Sequence, residues 1–439
     1  MKLVTQLEDL LYQSQQAPKK EELRLSAWRI LVHESEAVSV GIKDNSPGSV
    51  YTPPSYRQGE SGEVFLVWAD GTCSQAMVQL PAQNDPEYWP KELEQWRQAS
   101  YEDPDATHIP SPESLPLVAV EDRAIQTIVS GDDEILFDQV KRWLSDKPSK
   151  AKMQGRIQAG WGYRHVRTST GLAVTYQQSQ FVAGFSFDSL IGGGFAKRRL
   201  IRPEEQEELW SLTVSQYEVM QKEAPPVGPQ TQVILAPSMT EEMLGQFIIP
   251  NFAGDRVTEG QGAFAKESFL AHTLVFHPHF SLTIDPLQPL ELGSYLVTPE
   301  GVPAMRTVLV RDGQLQTPFL RIKDAVRWGS KPTALPQGTA GLYLKHQEEV
   351  PWLNALQGVE DGVLVLSVLG LHTQEAVSGS YSLSAPHSLR ILKGQIVGRT
   401  DVKLTGNFFA DLLAPTTKAA RTELDTHPYL LIKTGVQAL

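Results

Sequence analysis

The sequence contains one cysteine and fewer basic than acidic residues. Because Cys73 is the only cysteine among 439 residues, an internal disulfide and a cysteine-based zinc cluster are both excluded. Lys and Arg together number 39 and Asp and Glu 51, so the net charge is −12. Binding to nucleic acid or to an anionic membrane depends on clustered basic residues. We therefore expect partners that include neither nucleic acid nor membrane.

Long apolar runs are also missing from the sequence. No run approaches the roughly 20 apolar residues of a membrane-spanning helix, and the N-terminal residues lack the apolar core of a secretory signal peptide. We therefore expect a cytoplasmic protein. With 41% hydrophobic and 21% charged residues, the composition is typical of a soluble globular chain that forms two or three domains.

Apolar residues at helical spacing predict several amphipathic helices. In the first, Leu3, Leu7, Leu10 and Leu11 form a stripe that must cover a core. The acids that follow Pro203 suit the positive end of a later helix. The predicted helices cover about residues 1–14, 90–101, 134–144, 203–222 and 239–247.

Strands are predicted where β-branched or alternating apolar residues recur. The side chains at 181, 183, 185 and 187 alternate as a half-buried strand requires, and three glycines at 192–194 predict a turn or hinge after it. The composition of residues 44–62 predicts a long exposed loop. The other strands predicted here cover residues 23–32, 37–42, 64–68, 233–235 and 363–369.

These elements predict an α+β fold, with a mixed α/β N-terminal region and a mostly antiparallel β C-terminal domain. Residues 224–229, rich in proline and glycine, interrupt both patterns and mark the predicted boundary. We expect an N-terminal α+β domain over residues 1–224, in two subregions of about 1–110 and 120–224. The C-terminal β-rich domain then covers residues 230–439.

A polar loop within residues 362–413 is the main candidate site. It lies between the buried strand predicted at 363–369 and a β-hairpin that turns at Lys393-Gly394, after which Asn407 is predicted to cap a short helix through Leu413. Polar loops held by rigid strands commonly carry binding chemistry. The candidate residues, expected to line a cavity or an interface, are His372, Thr373, Glu375, Ser378, Gly379, Tyr381 and Asn407.

Two histidine-containing segments allow alternative chemistry. His372, with the loop hydroxyls and Glu375, could form a hydrolytic site, or it could simply bond backbone or face a partner. His277 and His279 would share one face of a strand and could bind a metal. Pro278 between them favours the alternative of a surface pair at a sheet edge.

Three motifs in this order resemble those of the TldD/PmbA family, whose paired members were once called modulators of DNA gyrase. They are Pro299-Glu300-Gly301-Val302-Pro303, then Ser378-Gly379-Ser380-Tyr381-Ser382, then Leu404-Thr405-Gly406-Asn407. The resemblance extends over roughly residues 230–437. It implies an α+β N-terminal part followed by antiparallel sheet.

The resemblance also implies that this chain holds no zinc of its own. In TldD, the helix after the first strand of this domain carries His-Glu-x-x-x-His, and the C-terminal block supplies a cysteine. The matching positions here are Gly245, Gln246 and Pro250, and the only cysteine is Cys73. The chain therefore resembles the zinc-free TldE/PmbA-like branch, without catalytic, metal or cofactor residues of its own.

Members of that branch pair with a TldD-like subunit, which holds the zinc, to form a metalloprotease that degrades or processes peptides. The resemblance thus implies a TldD-like partner, or a second copy of this chain, and an unfolded peptide as substrate. Two alternatives stay open. One is a stand-alone hydrolase that uses His372 or a metal at His277 and His279, and the other is a homodimeric peptide-binding scaffold.

Overall fold

The strands of this protein form three sheets in a computed structural model that describes residues 2–48, 55–81 and 87–439. The first is an eight-stranded sheet in the N-terminal half, and four- and eight-stranded sheets follow in the C-terminal half. The strands are β1 Leu25–Lys43, β2 Ser46–Pro47, β3 Ser55–Trp68, β4 Thr72–Gln79, β5 Tyr101–Glu102, β6 Met153–Thr168, β7 Ala173–Phe187, β8 Ile191–Lys197, β9 Gln232–Leu235, β10 Phe280–Ile284, β11 Thr307–Arg311, β12 Gln314–Leu315, β13 Leu342–His346, β14 Val350–Pro351, β15 Asp361–Val365, β16 Ser380–Leu392, β17 Gln395–Asn407, β18 Lys418–Arg421, β19 Tyr429–Ile432 and β20 Gly435–Ala438.

Helices pack around these sheets, and α5 begins at Pro203 with Glu204 and Glu205 in its first turn, as predicted. The helices are α1 Leu3–Gln16, α2 Tyr88–Gln98, α3 Arg123–Val129, α4 Glu134–Asp146, α5 Pro203–Met220, α6 Pro237–Met243, α7 Gly254–Thr258, α8 Lys266–Leu270, α9 Ile322–Trp328, α10 Trp352–Gln357 and α11 Phe408–Leu413. A π-helical turn, Leu244–Ile248, continues directly from α6.

The N-terminal sheet has the order β5-β4-β3-β1-β6-β7-β8, with β2 paired to β1. The four-stranded sheet has the order β12-β11-β10-β13, and the third has the order β14-β18-β19-β9-β15-β16-β17-β20. Pairing is antiparallel except between β14 and β18 and between β9 and β15. The α+β fold class is therefore confirmed, as is the mostly antiparallel C-terminal part.

The apolar stripes of the sequence form the cores. Leu3, Leu7 and Leu11 of α1 are fully buried beside the N-terminal sheet. A second cluster joins side chains of β1, β7 and α4 to β9, β15 and β16 of the C-terminal sheet. The two parts of the chain thus share packed apolar surface across the segment at 224–229. The predicted division into domains at this segment stays a prediction.

Four local expectations were wrong. The strands predicted at 23–32 and 37–42 are one strand, β1, because β3 and β6 pair with it through residues 33–36. The exposed loop predicted at 44–62 is strand from Ser55 onward, since Ser55 pairs with Ser39, and its residues 49–54 lie outside the described part. The strand predicted at 363–369 ends at Val365.

The fourth concerns the glycines at 192–194, which lie inside β8 rather than in a turn. A Cβ on Gly192 would lie 2.5 Å from the carbonyl oxygen of Phe185, and one on Gly193 would lie 2.6 Å from Thr213 Oγ1 of α5. Gly192 therefore allows close packing against β7, and Gly193 allows close packing against α5. The turn itself falls on residues 188–190.

Candidate functional site

The loop at residues 370–379 connects β15 to β16 and is held by its own hydrogen bonds. Gly370 has a positive φ of 88° and precedes a single 3₁₀ turn at Leu371–Thr373. The Glu375 carboxylate accepts hydrogen bonds from the backbone N–H groups of Val377, at 2.8 Å, and Ser378, at 2.6 Å. These two bonds favour the ionised form and lower the pKa of Glu375.

Asn407 and Gly379 attach the end of this loop to α11. Asn407 Nδ2 donates to the carbonyl oxygen of Ser378 at 2.6 Å, while its Oδ1 accepts from the N–H of Ala410 at 3.0 Å and caps the helix as predicted. Gly379 has a φ of +70°, and a Cβ there would lie 2.4 Å from the Phe409 ring. Only glycine therefore fits at this position.

His372 and Thr373 lie at the exposed tip of the loop. The hydroxyl of Ser378 donates to the backbone oxygen of Glu375 at 3.4 Å and accepts from Ser380 N–H at 3.2 Å. Within the described residues, no hydrogen bond joins His372 to Ser378. The structure therefore does not bring these residues together as a nucleophile and its base.

The loop rests on the π-helical turn and the residues after it. Gln246 Nε2 donates to the carbonyl oxygen of Gln374 at 2.8 Å. Asn251, fully buried, donates to the carbonyl oxygens of Phe247 and Ala376, both at 2.8 Å, and accepts from Ala263 N–H at 2.7 Å. Two side-chain amides thus fix the backbone of the candidate loop against this helix.

The residues at the positions that the resemblance aligns with the TldD zinc ligands do not fit a zinc site. Zinc in proteins is bound by imidazole, thiolate or carboxylate. Gly245 and Pro250 carry no such group, and the amide of Gln246 is engaged with Gln374. Cys73 lies buried at 0% exposure in the N-terminal sheet, beside Ala106 and Ile109. We therefore derive no chemistry through zinc at this position.

Behind the loop, Tyr381 and Asp411 form a buried polar pair. The Tyr381 hydroxyl donates to Asp411 Oδ2 at 2.6 Å and lies 2.9 Å from the hydroxyl of Thr434. Burial raises the pKa of Asp411 to about 6, against the opposing hydrogen bond from Tyr381. Burial also raises the pKa of Tyr381. The pair positions the first residues of β16, directly after the loop.

Asp411→Asn should change how stability depends on pH. A carboxyl with a raised pKa in the folded state contributes stability below its unfolded pKa of about 4, and that contribution is lost as the pH rises through about 6. Between pH 4 and pH 7, the wild-type free energy of unfolding should therefore fall relative to the variant by about 2 to 3 kcal/mol. Urea unfolding at several pH values measures this difference. The exposed Asp9→Asn is the control, and parallel curves for wild type and Asp411→Asn would contradict the prediction.

His277 and His279 lie just before β10, and β13 brings a third histidine, His346, beside them. The pairing of Phe280 with His346 places the ring of His346 5.3 Å from that of His279, centroid to centroid. One nitrogen from each of the three rings lies within 4.8 Å of the others. Such a set of nitrogens resembles a transition-metal site. His272, by contrast, directs Nδ1 to the carbonyl oxygen of Leu315 at 2.8 Å.

The hydrogen bond that the His346 ring accepts opposes metal binding in this geometry. Its Nδ1 accepts from Glu348 N–H at 3.1 Å, so the neutral ring carries its proton on Nε2. That Nε2 is buried and makes no hydrogen bond among the described residues. A metal at Nε2 would require Nδ1 to carry the proton, which displaces the Glu348 contact.

A cleft of about 340 Å³ separates the N-terminal sheet from the C-terminal part. At one side, Arg29 donates to Glu300 Oε1 at 3.0 Å, and Glu300 Oε2 accepts from Ile322 N–H at 2.8 Å. The glutamate of the Pro-Glu-Gly-Val-Pro motif therefore ties α9 to β1. We call the cleft of about 340 Å³ the Arg164 cleft. Its lining includes Arg29, Glu63, Phe65, Tyr101, Asp103, Arg164, Tyr295, Glu300, Phe319, Arg321, Lys323 and Leu335.

Sequence reasoning missed Asn251, His346 and Arg164. Asn251 follows the helix predicted at 239–247, and nothing local distinguishes it from a surface amide. His346 and Arg164 reach their neighbours only through strand register, which pairs Phe280 with His346 and His33 with Arg164. A prediction of which strands pair, and in which register, would have identified His346 and Arg164.

The fold and the site define a mixed α/β protein of mainly antiparallel sheets, with a polar loop fixed against a helix of the C-terminal part. Residues 228–434 match the family described as the PmbA/TldA metallopeptidase C-terminal domain. This match covers a little under half of the chain, and it assigns the C-terminal domain to the TldD/PmbA family.

Two known proteins are similar to parts of this chain. An uncharacterized protein of Methanocaldococcus jannaschii is 21% identical over 58% of this chain and 62% of its own length. A protein named metalloprotease from Synechocystis is 32% identical over 28% of each chain. The match therefore spans less than two thirds of either relative.

The crystal structure of TldE from Thermococcus kodakarensis superposes on 99% of this chain and 100% of its own, with a TM-score of 0.79 and 17% identity. That likeness concerns the fold. No described helix has the length and apolar character needed to cross a membrane.

Proposed function

We propose that this chain is a zinc-free, TldE-like subunit that assembles with a TldD-like zinc protease in the cytoplasm and helps it degrade or process peptides. The observation that carries the proposal is the contact between Gln246 and the candidate loop. At the helix where TldD carries its zinc ligands, the amide of Gln246 donates to the carbonyl oxygen of Gln374 at 2.8 Å. The metalloprotease name of the Synechocystis relative is consistent with a proteolytic complex.

The candidate loop would contribute to the shared interface or cavity of that complex. Its tip, with His372, Thr373 and Glu375, is exposed, while its base is fixed by Asn407 and Gln246. A rigid base with a polar, accessible tip suits a surface that contacts a partner without rearrangement.

Metal content and peptidase activity test the proposal together. The chain is purified alone, and again after mixing with a TldD-like homologue from the same cells, and each sample is assayed for zinc and for cleavage of an unfolded peptide. We expect no stoichiometric zinc in the chain alone, a mixed complex by mass measurement, and activity well above that of the homologue alone. Hydrogen exchange should slow at residues 371–378 in the complex. A chain that neither associates with the homologue nor changes its activity overturns the proposal.

The proximity of three histidines supports a second candidate, a metal-dependent hydrolase that acts alone, in which the proton of His346 would move to Nδ1. The supporting observation is that nitrogens of His277, His279 and His346 lie within 4.8 Å of one another. The same experiment separates the candidates. Stoichiometric zinc in the single chain, lost in His346→Ala together with its activity, would support the hydrolase and contradict the subunit proposal. A stable homodimer without either property would instead indicate a scaffold.

A further inference from the structure

Arg164 is a buried cation without an acidic partner among the described residues. The residue is only 6% exposed, and its Nε is buried and makes no hydrogen bond within the part of the chain that the structure describes. Across residues 2–48, 55–81 and 87–439, no carboxylate lies within ion-pair distance of its guanidinium. An arginine stays protonated in proteins, so its charge cannot be removed by releasing a proton. A buried charge of this kind is costly unless it is paired.

The neighbours of Arg164 on the sheet do not compensate its charge. Strand pairing places His33 on one side and Tyr176 on the other. Burial, with smaller contributions from Arg164 and His165, lowers the pKa of His33 to about 4, so that ring is neutral at pH 7. Arg198, also buried, is a second cation nearby and donates to the carbonyl oxygens of Ser294 and Ser179, both at 3.1 Å.

The acids that line the Arg164 cleft are engaged with other groups. Glu300 is paired with Arg29 at 3.0 Å, Asp103 contacts Arg327 at 3.4 Å, and Glu63 accepts from the amide of Gln75 at 2.6 Å. Two further cations, Arg321 and Lys323, also line the cleft and make no ion pair among the described residues. The cleft therefore has excess positive charge in a chain whose net charge is −12.

We propose that the Arg164 cleft binds a carboxylate, which under the proposed function is the C-terminal carboxylate of a peptide. A guanidinium forms two parallel hydrogen bonds to one carboxylate. This pairing would supply the negative charge that is missing beside Arg164 among the described residues. Apolar side chains of Phe65, Phe319 and Leu335 line the same cleft and suit the last side chain of such a peptide. The three acids in the lining oppose a doubly charged anion, which favours carboxylate over phosphate.

Direct binding to the full-length chain tests this inference without a partner protein. The probes are an N-acetylated tripeptide of apolar residues with a free carboxylate, the same peptide as its C-terminal amide, and inorganic phosphate. We expect the acid to bind the wild type at least tenfold more tightly than the amide or phosphate, by calorimetry. Equal affinity for acid and amide overturns the inference, and tighter binding of phosphate assigns the cleft to a different anion.

Substitutions locate the binding and separate it from folding. Arg164→Met keeps the apolar stem, removes the charge, and should weaken acid binding at least tenfold, whereas Arg164→Lys should keep part of it. Arg306→Met, at an exposed arginine outside the cleft, should bind as the wild type does. The thermal midpoint of Arg164→Met without ligand should equal or exceed that of the wild type, because an unpaired buried charge is gone. Unchanged acid affinity in Arg164→Met overturns the inference.

Failure of the carboxylate site can be distinguished from failure of the proposed function. If the chain fails to associate with a TldD-like protein but binds the acid through Arg164, the carboxylate site stands and the subunit proposal falls. If association occurs and the acid does not bind, the subunit proposal stands and the carboxylate site falls.

Discussion

Asn251→Ala is expected to lower the free energy of unfolding by about 3 to 5 kcal/mol, because three backbone groups each lose a buried hydrogen-bond partner. Asn251 is fully buried, and its amide bonds the carbonyl oxygens of Phe247 and Ala376 and the N–H of Ala263. Alanine can replace none of these bonds, and residue 251 itself is 0% exposed. Urea unfolding followed by circular dichroism measures the change.

Two further variants define the origin of this effect. Asn251→Asp keeps an acceptor for Ala263 but sets a carboxylate against two carbonyl oxygens, so we expect a loss at least as large at pH 7. Hydrogen exchange at the amide of Ala263 should accelerate in Asn251→Ala and less so in Asn251→Asp. The exposed Asn354→Ala is the matched control and should unfold as the wild type does. A loss below about 1 kcal/mol in Asn251→Ala would show that the site relaxes or admits water.

Glu300→Ala is expected to cost about 3 to 5 kcal/mol as well, because it leaves a largely buried arginine without its carboxylate. Glu300 is 8% exposed, and its two oxygens bond Arg29 at 3.0 Å and the first N–H of α9 at 2.8 Å. The side chain of Arg29 is 12% exposed. Removing the glutamate therefore leaves the charge of Arg29 unpaired and also removes the acceptor for the first N–H of α9.

Variants can separate the contribution of charge from that of side-chain shape at the pair of Arg29 and Glu300. Glu300→Gln keeps an acceptor for Ile322 and should lose less than Glu300→Ala. Arg29→Met combined with Glu300→Ala should cost less than the sum of the single changes, since no charge is left unpaired. Glu21→Ala, which removes an exposed surface pair with Arg24, should leave the urea midpoint nearly unchanged. Additive losses at residues 29 and 300 would contradict the pairing as the source of stability.

The sequence was sufficient for elements whose side-chain pattern is local. The stripe of α1, the Pro203 start of α5, the hairpin turn at Lys393-Gly394 and the Asn407 cap all depend on neighbours within a few residues. These elements were therefore predicted correctly. The fold class followed from their succession together with the resemblance of three motifs.

Long-range pairing is what the sequence could not supply. Residues 33–36 look like a break between strands, yet two neighbouring strands hold them in one continuous strand, β1. The glycines at 192–194 look like a turn, but they lie in β8, where Gly193 closely approaches Thr213 and Leu209 of α5. The positions of His346 and Arg164 follow from strand register alone. Each of these features is set by residues more than ten positions away, which a local pattern does not contain.

The π-helical turn at Leu244–Ile248 has a consequence for the length of this segment. The N–H of Ile249 bonds the carbonyl oxygen of Leu244, five residues earlier, so the turn is wider than an α-helical one. A π-helical turn contains one residue more than the α-helical turn that would replace it. Deleting one residue here would therefore restore α-helical spacing and rotate Gln246, which lies inside the turn, away from the carbonyl oxygen of Gln374.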